Sequence, residues 1–184
     1  MPVAVIDIGT NTLLLLIVDE AMHPLADLCR FGRLGKGLDA TGRLADDAIA
    51  ASLEICREYR KVMDDHGVAQ PIVIATQASR EAKNAAAFLG PAEQILGAPI
   101  QVIAGEREAE LAALAVARTF PELGAAKTFD TVDGLRVQFE SGEVLHVRPS
   151  GNAPELRCYV EAATEARAKE LLRYGLGVLG AWRA

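Results

Sequence analysis

The chain has little of what builds several common protein classes. Its three cysteines, Cys29, Cys56 and Cys158, are scattered and odd in number, with no C-x-x-C pair. Neither a disulfide framework nor a zinc knuckle is indicated. Apolar runs such as Leu13 to Val18 fall far short of the roughly 20 residues of a membrane span, so no transmembrane helix and no membrane partner are expected. Basic residues do not predominate: 19 Lys and Arg stand against 25 Asp and Glu, a net charge of −6. That balance leaves no electrostatic footprint for a nucleic acid. The start, Met1-Pro2-Val3-Ala4, lacks a basic region followed by a cleavage site, so no signal peptide is expected. With 51% hydrophobic and 24% charged residues, the chain has the composition of a globular protein rather than a disordered one. A soluble, cytoplasmic protein of one domain or two small ones follows from the 184 residues.

Charge is uneven along the chain. Residues 1–122 hold 11 basic and 17 acidic residues, whereas 123–184 hold 8 of each. Between them, Pro121-Glu122-Leu123-Gly124-Ala125-Ala126-Lys127 has the composition of a linker. Residues 3–8 and 13–18 read as strands joined by a Gly-containing turn, with a third strand over 24–34. Gly35-Lys36-Gly37-Leu38 reads as loop. A helix is expected from Leu44 to about His66, with Ile49, Leu53, Ile55 and Val62 inward. Strands at 71–75 and 100–103 alternate with helices from a Ser79 cap to Phe88 and over 106–119. Past the linker, three strands (135–139, 144–147, 156–162), a Ser141-Gly142 hairpin turn and one amphipathic helix to about 179 make an α+β pattern. That helix is expected to turn Ala168, Leu171, Leu172 and Leu176 inward.

Three segments of the first part carry chemistry. Asp7-Ile8-Gly9-Thr10-Asn11-Thr12 sets a carboxylate at a strand end before a turn whose N–H groups can hold phosphate oxygens. Asp7 can hold Mg²⁺ directly or through water; a plain hairpin turn with a solvated Asp7 accounts for the same residues. Thr76 to Asn84 follows a strand and opens a helix, so Arg80 sits where an anion binds, or on an ordinary surface. Gly105-Glu106-Arg107-Glu108-Ala109-Glu110 puts three carboxylates at a helix start. The helix dipole alone explains them, or one orients water as a general base.

Together with Arg33-Leu34-Gly35-Lys36-Gly37-Leu38, Gly42-Arg43-Leu44 and Val102-Ile103-Ala104, these segments resemble the first part of the exopolyphosphatase/guanosine pentaphosphate phosphohydrolase (Ppx/GppA) family. The resemblance implies a partial actin-like (ribonuclease-H-like) α/β domain over 1–122 and Mg²⁺-dependent phosphoanhydride hydrolysis. It implies that Asp7 holds the metal, that Gly9, Thr10, Asn11, Thr12 and Arg80 hold substrate phosphate, and that Glu108 is catalytic. Polyphosphate or guanosine pentaphosphate would be the substrate. A family member would continue into a second phosphate loop, Asp-Ile-Gly-Gly-Gly-Ser or similar, which does not occur in residues 123–184.

The last third has its own constellation. Arg148-Pro149-Ser150-Gly151-Asn152-Ala153-Pro154-Glu155-Leu156-Arg157 sets two arginines around a small-residue turn, a combination suited to a phosphate monoester or to a tight loop with salt-bridged arginines. With Asp133 to Val137 and Leu156 to Ala162, it resembles the C-terminal domain of the α-D-phosphohexomutases, especially the phosphomannomutases, over about 128–183. By that resemblance Arg148, Ser150, Gly151, Asn152 and Arg157 hold a hexose phosphate. The expectation is an α/β domain (1–122), a linker (123–127) and a small α+β domain (128–184), fused into a phosphate-ligand-handling protein that is catalytically incomplete alone. The alternatives are a homo-oligomer that supplies the missing wall and hydrolyses polyphosphate or guanosine pentaphosphate, and an interaction module related to phosphomannomutase.

Overall fold

A computed structural model describes residues 1–119, 123–130, 134–149 and 156–181. Two compact units, Met1–Gly105 and Glu106–Ala184, follow from the contacts.

In the first unit, five strands form one sheet in the order β3-β2-β1-β4-β5. β1 (Val3–Ile8), β2 (Thr12–Val18) and β3 (Pro24–Phe31) run antiparallel, while β4 (Ile72–Ala75) and β5 (Ile100–Val102) continue the sheet parallel to β1. Alternation decides which side is core. Ala4, Ile6 and Ile8 of β1 and Leu13, Leu15 and Ile17 of β2 are buried, and Val73 and Ala75 of β4 join them. Helices α2 (Asp46–Asp65) and α4 (Ala86–Leu96) contribute the other half of this core.

The expected α2 residues Ile49, Leu53, Ile55 and Val62 all pack on the core, but the centre of the stripe includes residues the sequence reading did not pick out. Ala48, Ile49, Ser52, Cys56, Tyr59 and Met63 are buried, while Leu53, Ile55 and Val62 flank them half-buried. Tyr59 lies at that centre: it is large, fully buried, and its hydroxyl donates to the Leu13 carbonyl at 2.7 Å. A buried phenol needs such a partner. Burial raises its pKa, so it stays a donor. Burial likewise pushes the Cys56 thiol up to about 12, which leaves it an inert packing group.

One helix is added and one helical expectation is corrected. A short α1 (Leu38–Thr41), not expected from the sequence, follows the Gly35–Gly37 loop and is framed by Gly37 (φ 72°) and Gly42 (φ 65°). Both lie in the left-handed region that glycine tolerates and other residues rarely do. The helix expected from Ser79 to Phe88 is instead two: α3 (Gln77–Glu81), then α4. Ser79 lies inside α3, buried, and caps nothing. Ala82 is extended, which ends α3, and Asn84 is used elsewhere: its side chain accepts from the Leu44 N–H (2.8 Å) and donates to the Leu44 carbonyl (3.1 Å). α4 runs on through Pro91, because Phe88, Ala92 and Leu96 form a fully buried stripe at i, i+4, i+8 that outweighs one lost helical hydrogen bond.

The second unit holds α5 (Gly105–Thr119, of which Gly105 closes the first unit) and a four-stranded antiparallel sheet, β6 (Ala126–Asp130), β7 (Leu135–Phe139), β8 (Val144–Pro149) and β9 (Leu156–Glu161), in chain order. β6 was not expected from the sequence. Leu123, Val137, Phe139, Leu145 and Leu171 form its core. α6 (Glu165–Ala181) packs on the sheet with Leu171 buried, but Leu176 is exposed, contrary to the expected stripe. Gly175 takes the close position instead: a Cβ there would lie 3.0 Å from Cys158 Sγ, so the missing side chain lets α6 approach β9. The Ser141-Gly142 hairpin forms as read, with Gly142 at φ 86°.

Beside that turn, Glu143 takes two hydrogen bonds from Arg167 of α6, at 2.6 and 3.3 Å, and one from Ser141 at 3.2 Å. The Arg167 bonds hold its carboxyl below the usual range. A depressed carboxylate adds stability above its unfolded pKa and loses it as pH falls through the folded value. Acid should therefore destabilise the second unit progressively below about pH 4.5. Glu143→Gln should flatten that acid limb in urea denaturation followed from pH 7 to 3, and an unaltered limb would reject the role. In the first unit, Tyr59→Phe should cost about 1 kcal/mol, the loss of one buried hydrogen bond, read as a lower urea midpoint at constant slope.

Candidate functional site

β1, β4 and β5 are parallel, so their carboxyl ends meet at one edge of the first sheet. Asp7 pairs with Ile74 and Ile8 with Ala75. The Thr76 N–H then donates to the Ile8 carbonyl at 3.1 Å, and the Ile103 N–H to the Ala75 carbonyl at 3.0 Å. Three chain turns consequently leave the same edge: 9–11 after β1, Thr76 into α3 after β4, and 103–105 after β5. Carboxyl ends of parallel strands are where open α/β sheets form ligand crevices.

The first turn is tight. Gly9 N–H donates to the Thr12 carbonyl at 2.9 Å, and a Cβ on Gly9 would lie 3.1 Å from that oxygen. Asp7, half-buried, precedes it at the strand end. Arg80 lies in the last turn of α3 and reaches across, donating from Nη1 to the Ile103 carbonyl at 2.7 Å. The guanidinium thus bridges the β4 and β5 ends while its outer part is exposed. Asp7, Gly9, Thr10, Asn11, Thr12 and Arg80 are therefore brought to one sheet edge.

Sequence reading missed the supports of this edge. The Thr10 carbonyl accepts from the Gly35 N–H (2.8 Å) and the Asn11 carbonyl from the Arg33 N–H (2.9 Å). A Cβ on Gly35 would meet Thr10 Cγ2 at 2.2 Å. The Gly42 carbonyl in turn accepts from the Lys83 N–H at 3.0 Å. The 33–45 segment is thus an arch tied to the first turn at one end and to the α3–α4 connection at the other. The signal was present in the glycine spacing of Gly35-Lys36-Gly37, which marks close backbone approach. Beside the arch lies a cleft of about 500 Å³ that Lys36, Thr41, Arg43, Asp46, Asp47 and Asn84 help to line. Lys36 is tied to Asp47 there at 2.8 Å and holds that carboxyl below its usual range.

Glu108 stands in the first turn of α5, half-buried, with Glu106 exposed beside it; Arg107 pairs with Glu110 at 2.9 Å. These residues belong to the second unit.

On the second sheet, Arg148 and Arg157 face each other as register partners on β8 and β9. Ser150, Gly151 and Asn152 lie outside the described residues. Arg148 Nη2 donates to the Tyr159 hydroxyl at 3.4 Å, and its Cζ stands 5.4 Å from the Tyr159 ring centre. Gly134, at φ 82°, packs so closely that a Cβ would lie 2.4 Å from Arg148 Cβ. Tyr159 and Gly134 were not named from sequence. Period-2 reading of β9 places Tyr159 on the face of Arg157, which is the signal that finds it.

Comparison with known proteins finds two families, whose matches overlap over residues 100–131. The model of the Ppx/GppA phosphatase family matches residues 14–131, and that of the phosphoglucomutase/phosphomannomutase C-terminal domain matches residues 100–173. The chain is similar to exopolyphosphatase 2 of Mycobacterium tuberculosis, 36% identical over 121 residues, covering 59% of this chain and 38% of that protein. It is also similar to a phosphomannomutase of Sinorhizobium fredii, 56% identical over 64 residues, covering 35% of this chain and 14% of that protein. Among solved structures, a Ppx/GppA phosphatase of Aquifex aeolicus superposes with a TM-score of 0.62 at 30% identity, covering 88% of this chain and 52% of that one. The chain thus spans between a seventh and about half of the length of these relatives. Among the described residues no helix is long and apolar enough to cross a membrane.

The arch makes a local prediction. Gly35→Ala must push Thr10 away, at a cost of about 1–3 kcal/mol for an overpacked contact. Amide hydrogen exchange at residues 9–12 should speed up, and unchanged protection there would show that the arch does not hold the turn.

Proposed function

The chain belongs to the Ppx/GppA phosphatase family, and from that premise we propose that it handles phosphate-bearing ligands at two separate places. The first is the sheet edge of Asp7, Gly9, Thr10, Asn11, Thr12 and Arg80, with a phosphoanhydride such as polyphosphate or guanosine pentaphosphate as the ligand. The second is the Arg148 and Arg157 pair, with a hexose phosphate as the ligand. The observation that carries the first assignment is the parallel β1–β4–β5 edge, where turn donors and one guanidinium collect. Backbone N–H groups and arginine are the donors that hold phosphate oxygens.

In this reading Arg80 offsets phosphate charge, and the 9–12 turn orients the terminal group. Were such a ligand hydrolysed, the family resemblance would give Glu108 the task of taking a proton from the water whose oxygen bonds to the terminal phosphorus, the bridging P–O bond breaking to release orthophosphate and a ligand shorter by one phosphate. The donor set fits Mg²⁺: Asp7 gives one carboxylate, Thr10, Asn11 and Thr12 add oxygens, and such an ion keeps waters and takes substrate phosphate. A protein-only cage is not what the residues offer, since no group of three or more His, Cys, Asp or Glu that could hold a metal occurs among the described residues. When bound, the ion supplies neutralising charge to phosphate oxygens.

We take residues 1–184 as a binder that is catalytically incomplete by itself, because the second phosphate loop of the family has no counterpart in this sequence. A second reading, activity as a homo-oligomer, is favoured by one observation. The side of the first sheet turned away from the α2–α4 core carries Val3, Leu14, Leu16 and Ile72, between 39% and 53% exposed. An apolar face of this kind marks an interaction surface.

Calorimetry on the full chain with Mg²⁺ and polyphosphate, guanosine pentaphosphate or mannose 1-phosphate tests the assignment. Arg80→Ala should abolish polyphosphate or nucleotide binding and spare the sugar phosphate, and Arg148→Ala should do the reverse. Silence toward all three ligands would reject it. If light scattering shows an oligomer that releases phosphate, Glu108→Gln should stop the release; continued release would remove Glu108 from the mechanism.

A further inference from the structure

The outer face of the second sheet poses an electrostatic problem. Arg148 and Arg157 are direct cross-strand neighbours, and His146 sits opposite Tyr159 on the same two strands. Like charges placed opposite each other on adjacent strands repel. Glu161 of β9, on the same face, is paired with Arg136 at 3.1 Å. Tyr159 touches Arg148 on this face. Arg148 donates to its hydroxyl at 3.4 Å and lies over its ring, 5.4 Å from the centre. Arg157 lies two residues from Tyr159 on the same face of β9, and the two cations, Arg148 foremost, hold the phenol pKa below the usual value. The His146 ring flanks Tyr159 at 5.7 Å, tilted by 34°. Gly134 packs against the Arg148 backbone and Cβ so closely that a β-carbon on Gly134 would lie 2.4 Å from Arg148 Cβ.

The phenol oxygen therefore accepts from Arg148 with Arg157 beside it on the same face, and the ring supports the Arg148 plane. A flexible arginine loses rotamer freedom when it grips an anion, and a guanidinium already held in place loses less. We propose that Tyr159 is a positioning residue that holds Arg148 and Arg157 as a fixed pair for a phosphate dianion. This rests on the hexose-phosphate half of the proposed function and adds to it a residue and a division of labour. The hydroxyl sets the spacing of the two guanidiniums, and the ring sets the tilt of one.

The test uses the full chain and two probes, inorganic phosphate and mannose 1-phosphate, titrated by NMR on protein labelled at tyrosine Cζ and arginine Nε. Tyr159→Phe keeps the ring and should weaken both ligands about five-fold, the loss of one hydrogen-bond acceptor. Tyr159→Leu removes the ring as well and should weaken them about twenty-fold. Thermal midpoints of the two variants should stay close to the parent. In the parent, the Tyr159 Cζ resonance, assigned by its absence in Tyr159→Phe, should move on saturation with either ligand. The Arg148 and Arg157 Nε–H signals should be sharp in the parent and broadened in the variants. Parent-like affinity in both variants, with binding still lost in Arg148→Ala, would overturn the role of Tyr159 and leave the site standing. A parent that binds neither probe would overturn the site and this inference together. A Tyr159 resonance that ignores the ligand would likewise reject positioning, even if a variant binds weakly.

Discussion

The parallel pairing of β1 with β4 is the constraint on which the first unit depends. It joins Val5–Ile8 to Ile72–Ala75, segments far apart in the chain. Such a junction costs loop entropy that local contacts do not repay. The return comes from the buried stripe that pairing completes: Ile6, Ile8, Leu13, Leu15, Val73 and Ala75 lie under α2 and α4 only when β4 sits beside β1. The same pairing sets the functional edge. With Ile8 opposite Ala75, the Thr76 N–H finds the Ile8 carbonyl, and α3 starts beside the 9–12 turn. Core burial and ligand geometry are thus fixed by one register, and a one-residue slip would lose both.

How much of this the sequence reveals depends on whether the signal is local. The β1–β2 hairpin, the Ser141-Gly142 turn and the alternation of β7 to β9 are local patterns, and they read correctly. The centre of the α2 stripe is not local. Leu53, Ile55 and Val62 pack on the core half-buried, while Cys56, Tyr59 and Met63 between them are fully buried, Tyr59 with a hydrogen bond to Leu13 across the core. The break between α3 and α4 is set by Asn84 bonding to Leu44, again at long range. β6 escapes a reading by periodicity because its Ala126 to Asp130 stretch is mostly exposed and carries little apolar alternation. Its place comes from pairing with β7. For the site, Asp7, Arg80 and Arg148 are legible as motif residues. The glycine spacing at Gly35 and the strand face of Tyr159 are legible too, but the roles of Gly35, Gly134 and Tyr159 are not, because what makes them matter is what they touch.

The two proposed anion sites are built in different ways. The first would use main-chain groups at the ends of parallel strands, with one arginine laid across them, and its geometry comes from the sheet and the Arg33–Gly35 arch. The second would use side chains on an antiparallel face, where strand pairing sets the spacing of Arg148 and Arg157 and side-chain contacts must set the rest. Such a site needs local anchors, and Tyr159 and Gly134 are anchors of that kind. A turn made of backbone tolerates substitution of its side chains. A site made of arginines is only as ordered as the residues packed against them.

Net charge sharpens the contrast. Residues 1–122 carry six more acidic than basic groups, and 123–184 are balanced. A polyanion approaching the first part meets a repulsive field at long range, so its binding cannot be driven by steering. At the proposed first site, binding would have to be won within a few ångströms, by N–H donors, by Arg80 and by a divalent cation where Asp7 holds one. The balanced second part would present no such long-range field to the phosphate monoester proposed for it.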